Sequence, residues 1–114
     1  MIRPGRLDLE MFQGATFTYQ FTWTADGEPV NVSGFMARMQ VRPSVRSEIV
    51  ELEFVSGDGI TLGGETGVIQ LSADAVTTEL ATPGQYVYDL ELDSGGEVTR
   101  LLEGSFVIVP EVTR

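Results

Sequence analysis

Hydrophobic and polar residues alternate along most of this chain. The clearest run is 15–24, where Phe17, Tyr19, Phe21 and Trp23 fall at every second position with Thr and Gln between them. Successive side chains of a strand point to opposite faces, so all four rings share one face and the polar residues share the other. That is the signature of a half-buried antiparallel strand. The same period of two recurs at 7–11, where Leu7, Leu9 and Met11 alternate with Asp8 and Glu10. It recurs at 35–42, with Phe35, Ala37, Met39 and Val41 on one side, and at 49–55, with Val50, Leu52 and Phe54. At 85–93 it places Tyr86, Tyr88, Leu90 and Leu92 together. Residues 60–62 and 67–71 read as shorter strands. Residues 97–109 read as the last long one, with a bulge near Gly104.

Turn chemistry separates these runs. Gln13-Gly14 is a turn or bulge, Asp26-Gly27 is a two-residue hairpin signal, and Ser94-Gly95-Gly96 is another. Residues 28–34 form a loop with a short extended piece at Val30 and Val32. Pro43 ends the strand before it because proline cannot donate to a ladder. A helix is predicted only near 73–81, with Ser72 as N-cap, Asp74 in the first turn and Pro83-Gly84 as the stop. Its two threonines hold it to about two turns.

Seven to nine short strands with a turn about every ten residues predict an all-β fold, an antiparallel immunoglobulin-like β-sandwich with one short helix. At 114 residues the chain is one domain, 1–114. Residues 1–6 form an extended N-terminal arm and 110–114 a C-terminal tail. The predicted core is Phe17, Tyr19, Phe21, Trp23, Phe35, Met39, Val41, Leu52, Tyr88 and Leu90.

Composition narrows the chemistry. The chain has no cysteine, no histidine and no lysine, so all seven of its cations are arginines. Disulfides, thiolate catalysis, Schiff-base chemistry, the commonest general base and the commonest metal ligand are absent together. Ser72, Thr77 and Thr78 lack the histidine that a hydrolase triad needs. The glycine-rich stretches Asp58-Gly59 and Gly63-Gly64-Glu65 are expected to precede no helix, so they cannot aim amides at a phosphate. The expectation is a protein that is not an enzyme and carries no cofactor. A net charge of −10 repels nucleic acid and anionic membranes. No apolar run is long enough for a signal peptide or a membrane span, so the chain is expected to be soluble and made in the cytoplasm.

Asp89, Glu91 and Asp93 line one strand face, with Glu97 past the turn. Stacked carboxylates can bind calcium or serve a glycosidase, but calcium ligands gather on tight turns rather than along a strand. They read as a solvated face, with Arg38, Arg42 and Arg100 as cross-strand partners. The aromatic strand could likewise stack sugars or bases, but core packing accounts for its strict period.

The order of several pieces is distinctive. Gln13-Gly14-Ala15-Thr16-Phe17 is followed by Gly27-Glu28-Pro29-Val30-Asn31-Val32-Ser33-Gly34 and by a strand ending at Arg42. Pro83-Gly84-Gln85-Tyr86-Val87-Tyr88-Asp89-Leu90 comes later. This order, over about residues 10 to 109, resembles the N-terminal immunoglobulin-like module of tailed-phage baseplate upper proteins and related small phage structural proteins. Val32 stands where the family more often has Leu, and the chain stops after one module, without a fibre-like extension. The resemblance implies a virion structural protein, made in the host cytoplasm and docking on other phage virion proteins as a homo-oligomer or multicopy assembly. Its position would be baseplate or tail-fibre-associated, or capsid decoration. It implies no catalytic residue. The rival class is a carbohydrate-binding or calcium-binding β-sandwich module. The expected partner-binding residues are Arg3, Pro4, Gly5 and Arg6 of the arm, with Pro110 and Arg114 of the tail. An arginine-bearing arm on an acidic protein can supply charge-assisted bonds to a neighbour's carboxylates.

Overall fold

A computed structural model of the chain describes residues 5–113. Eleven strands form: β1 (Gly5–Arg6), β2 (Leu9–Phe12), β3 (Phe17–Thr22), β4 (Thr24–Ala25), β5 (Glu28–Pro29), β6 (Met36–Arg42), β7 (Leu52–Ser56), β8 (Gly59–Leu62), β9 (Val68–Ala73), β10 (Gly84–Asp93) and β11 (Val98–Val109). A six-residue helix, α1 (Ala75–Leu80), lies between β9 and β10. Nine strands make one sheet in the order β1-β11-β10-β6-β7-β8-β9-β3, with β2 also pairing β11. β4 and β5 make a separate hairpin around Asp26-Gly27, where both residues have positive φ, as a two-residue type I′ turn requires.

The all-β expectation holds, but the strictly antiparallel one does not. β1 and β2 both run parallel to β11, and β7 runs parallel to β8. Alternation reveals which side of a strand is buried. It carries no information about which neighbour the strand meets or in which direction that neighbour runs. The β7–β8 pairing is a corner. It comprises only Val55↔Gly59 and Ser56↔Ile60, partners four residues apart in the chain. Gly59 makes the corner possible, since its φ is +100° and a Cβ there would come within 2.8 Å of the Phe54 ring. The sheet curls through this corner until its two ends face each other. Phe17 in β3 and Phe106 in β11 lie far apart in strand order, yet their ring centroids are 5.9 Å apart, edge to face. Phe54 stands 6.2 Å from Phe17 on the other side.

The core inside this curl follows the alternation. Ala37, Met39 and Val41 of β6, Tyr86, Tyr88, Leu90 and Leu92 of β10, and Phe106 and Ile108 of β11 are buried. Phe17, Met39, Val41, Tyr88 and Leu90 are buried as expected, whereas Tyr19, Phe21, Trp23, Phe35 and Leu52 are only half-buried at its margin. The strand predicted from residue 49 starts at Leu52 instead. Ile49 and Val50 are exposed, because the last backbone bond toward β6 is Glu51 N–H to Val41 O at 2.8 Å. The helix also starts later than expected. Asp74, not Ser72, is its N-cap, accepting from the Thr77 amide at 2.8 Å. That bond holds the Asp74 carboxyl below its ordinary pKa.

Candidate functional site

The outer face of β6, β10 and β11 carries most of the described arginines. Alternation sends Arg38, Gln40 and Arg42 outward from β6 and Val87, Asp89 and Glu91 outward from β10. In β11 the pairing shifts between Leu102 and Arg100, so Leu101 is an extra residue. The expected bulge therefore lies at Leu101 rather than at Gly104. Residues three apart on a regular strand face opposite ways. The bulge changes this, and Arg100 Nη1 reaches Glu103 Oε1 at 3.8 Å on the same face.

The consequence is electrostatic. Asp89 and Glu103 are direct cross-strand partners, two like charges whose opposition is unfavourable. Arg100 lies against both, with its Nε 3.4 Å from Asp89 Oδ2. Arg38 pairs with Glu91 at 3.9 Å. Arg42 donates to Gln40 Oε1 at 2.6 Å and to the Ser47 carbonyl at 2.5 Å, and Gln40 donates to Glu53 Oε2 at 2.6 Å. Asp89 and Glu91 of β10 are thus a cross-paired face, with Arg38 and Arg100 as their partners, whereas Arg42, expected beside them, bonds to Gln40 and Ser47 instead, and Asp93 accepts the Gly95 amide. These groups line an open trough of about 400 Å³. Four arginines, Arg6, Arg38, Arg42 and Arg100, stand against Asp89, Glu91 and Glu103 there, on a chain whose net charge is −10. Exposed pairs of this kind contribute little to stability, so their value lies in patterning the surface. Among the described residues no group of three carboxylates is gathered closely enough to hold a metal ion.

The predicted contact segments fall at separate places. Arg3, Pro4 and Arg114 lie outside the described residues. Gly5 and Arg6 are strand β1, paired to Leu102 and Glu103, with Arg6 3.4 Å from Asp8. That part of the arm is built into the sheet edge. Asp8 accepts the Ser105 amide at 3.0 Å, which with Arg6 nearby keeps its carboxyl below the ordinary value. Tyr88 ties the same segment from inside, donating its hydroxyl to the Leu7 carbonyl at 2.6 Å. Burial raises the Tyr88 phenol well above its usual range, with the Asp8 charge adding to it. Pro110 is exposed just past β11, seven residues or about 23 Å of strand from Glu103.

Sequence reasoning missed one cluster. Gln13 donates its side-chain amide to the carbonyls of Glu79 and Ala81 and accepts the Glu111 amide at 3.0 Å. Beside it, Gly14 and Ala15 bond to Thr78, which is 0% exposed. These contacts join the start of β3, the end of α1 and the start of the tail. The Gln13-Gly14 pair is a structural clamp, and the sequence signalled it only as a turn or bulge and by its place in the phage-module order.

No protein-family model matches the chain, and no curated protein matches it. Among solved structures it is similar to the N-terminal domain of phage TP901-1 ORF48. The identity is 13% and the TM-score 0.53, over 96% of this chain and 90% of that one. Two structures of voltage-gated sodium channel beta subunits also align, at 12% identity and a TM-score of 0.40. One describes parallel homodimers of the beta4 extracellular domains in cell–cell adhesion, covering 98% of each chain. The other concerns multimeric cell-adhesive interactions, covering 99% of this chain and 98% of that one. The likeness to the phage domain is one of fold. No helix among the described residues is long and apolar enough to cross a membrane.

Proposed function

We propose that the chain is a non-enzymatic structural protein of a tailed-phage virion that docks on other virion proteins. The observation that carries this reading is the fold likeness to a phage protein's N-terminal domain over nearly the full length of both chains. The order of Gln13-Gly14, the Asp26-Gly27 hairpin and the Tyr86–Tyr88 strand supports it independently, through its resemblance to the baseplate upper module. The strand order is also consistent with the immunoglobulin-like arrangement, with β2, β11, β10, β6 and β7 facing β3, β9 and β8 across the core.

The chemistry of the surface fits docking rather than catalysis. The chain has no histidine, cysteine or lysine, and two of the five described arginines, Arg38 and Arg100, are spent on cross-strand pairs. The trough on β6, β10 and β11 offers paired charges of both signs, which suits a partner surface that is itself charge-patterned. The location, whether baseplate, tail fibre or capsid, follows from fractionation. Mass spectrometry of purified particles separated into heads and tails should find the chain in one fraction at multicopy stoichiometry. Its absence from particles that were assembled while it was expressed would overturn the reading.

A further inference from the structure

The two ends of the curled sheet are treated differently. At one end lie β1 and β2, strands of two and four residues accompanied by Arg6, Asp8 and Glu10. Short strands and charges are the usual means of keeping a sheet edge from pairing with another chain. At the other end lies β3, six residues long and, among the described residues, hydrogen-bonded on one side only, to β9. The chain has 7 basic and 17 acidic residues, and none falls at positions 11–25. The β3 edge is long, regular and uncharged.

The direction of its backbone groups follows from the neighbouring bonds. Trp23 donates its amide to Gly67 O at 2.9 Å, continuing the register in which Thr22 faces Val68. Val68 O accepts from Gly63 at 2.7 Å, so Val68 turns its groups toward β8 and away from β3. Alternate residues of a strand direct N–H and C=O to the same side. Phe17, Tyr19 and Phe21 therefore bond to β9, and Thr18, Gln20 and Thr22 present their amides and carbonyls outward. The side chains of these three are exposed, while Tyr19, Phe21 and Trp23 on the inner face are only half-buried.

We propose that two copies of the chain pair edge to edge through β3, antiparallel about a two-fold axis at Gln20. In that register Gln20 faces Gln20 of the other copy, and Thr18 faces Thr22 on either side. These are the residues whose backbone groups point outward, so three pairs exchange two bonds each and every free group of the edge is satisfied. On the inner face Tyr19 meets Phe21, an aromatic cross-strand pair that covers rings left half-exposed in a single copy. The sequence is self-complementary about Gln20 in both layers. Charge selects the same place, since two bodies of −10 repel each other wherever they carry charge. The uncharged β3 edge is where a second copy approaches at least cost. This inference goes beyond the virion reading and does not depend on it.

Sedimentation equilibrium of the full chain tests it, with Gln20→Lys, Gln20→Glu and an equal mixture of the two. Gln20 is exposed, so both variants should retain the wild-type circular dichroism spectrum and urea midpoint. Wild type is expected to dimerise in the micromolar range. Each variant alone places like charges against each other on the axis and should weaken the dimer by at least about tenfold. The mixture places Lys against Glu and should restore it. A wild type that stays monomeric at the highest soluble concentration overturns the proposal. So does a dimer that neither substitution weakens, or a mixture that dimerises no better than its components.

Discussion

The amide of Gly14 donates to Thr78 Oγ1 at 3.0 Å, and the same hydroxyl lies 2.9 Å from the carbonyl of Ala15, to which it donates. One buried side chain thus satisfies a donor and an acceptor of the turn that launches β3, from a helix more than sixty residues later in the chain. Gly14 has φ +82°, a backbone conformation that side-chain-bearing residues rarely adopt, so this turn favours glycine.

Replacing Thr78 should therefore be costly despite its small size. Thr78→Val keeps the shape but leaves the Gly14 amide without its partner. It should destabilise by about 1–3 kcal/mol in urea unfolding, and Thr78→Ser should recover most of the loss. Equal stability of the valine and serine variants would show that the hydroxyl carries no weight.

Gly104 lies beside the segment between β1 and β2, which runs along the edge of β11. A Cβ at that position would meet the Leu7 carbonyl oxygen at an impossibly short separation and Asp8 Oδ1 at 2.9 Å. Gly104→Ala should force that segment off the sheet at a cost of about 1–3 kcal/mol. Hydrogen exchange should show lost protection at Leu7 and in β2, with β6 and β10 unaffected. Unchanged protection at Leu7 would count against this account.

The Tyr88 phenol has its pKa raised in the folded state, chiefly by burial. A raised pKa means that the neutral form is favoured by folding. The contribution is fully present below the unfolded value of about 10 and is lost as pH climbs above it. The urea midpoint of wild type should fall with rising pH in that alkaline range. Tyr88→Phe should start lower, having lost the bond to Leu7, and should decline less steeply. Parallel pH profiles for the two proteins would remove Tyr88 as the cause.

Arg100 separates Asp89 from Glu103. Arg100→Ala leaves those carboxylates opposed across β10 and β11, and should cost about 0.5–1 kcal/mol at low salt. The difference from wild type should shrink as salt is added, because these groups are partly exposed. A salt-independent difference would point to lost packing of the arginine stem instead.

Much of the fold was legible because a strand writes its buried side into every second residue. The rows Ala37–Met39–Val41, Tyr86–Tyr88–Leu90–Leu92 and Phe106–Ile108, and the Asp26-Gly27 turn, were readable from residue type and spacing alone. The pairing of Arg38 and Arg100 with the β10 carboxylates was readable as well, since neighbouring strands bring outward charges together. Local sequence does not encode which strands become neighbours. The parallel docking of β1 and β2 on β11, the corner at Gly59 and the one-residue shift at Leu101 depend on how the sheet closes on itself. The degree of burial depends on it too. Tyr19, Phe21 and Trp23 share the period and hydrophobicity of Phe17, yet only Phe17 lies where the curled ends meet. Thr78 was invisible for the same reason: a threonine becomes a buried hub only when a turn more than sixty residues earlier in the chain is folded against it. Residue order determined which face each strand turns inward, and the long-range closure of the sheet decided what that face would touch.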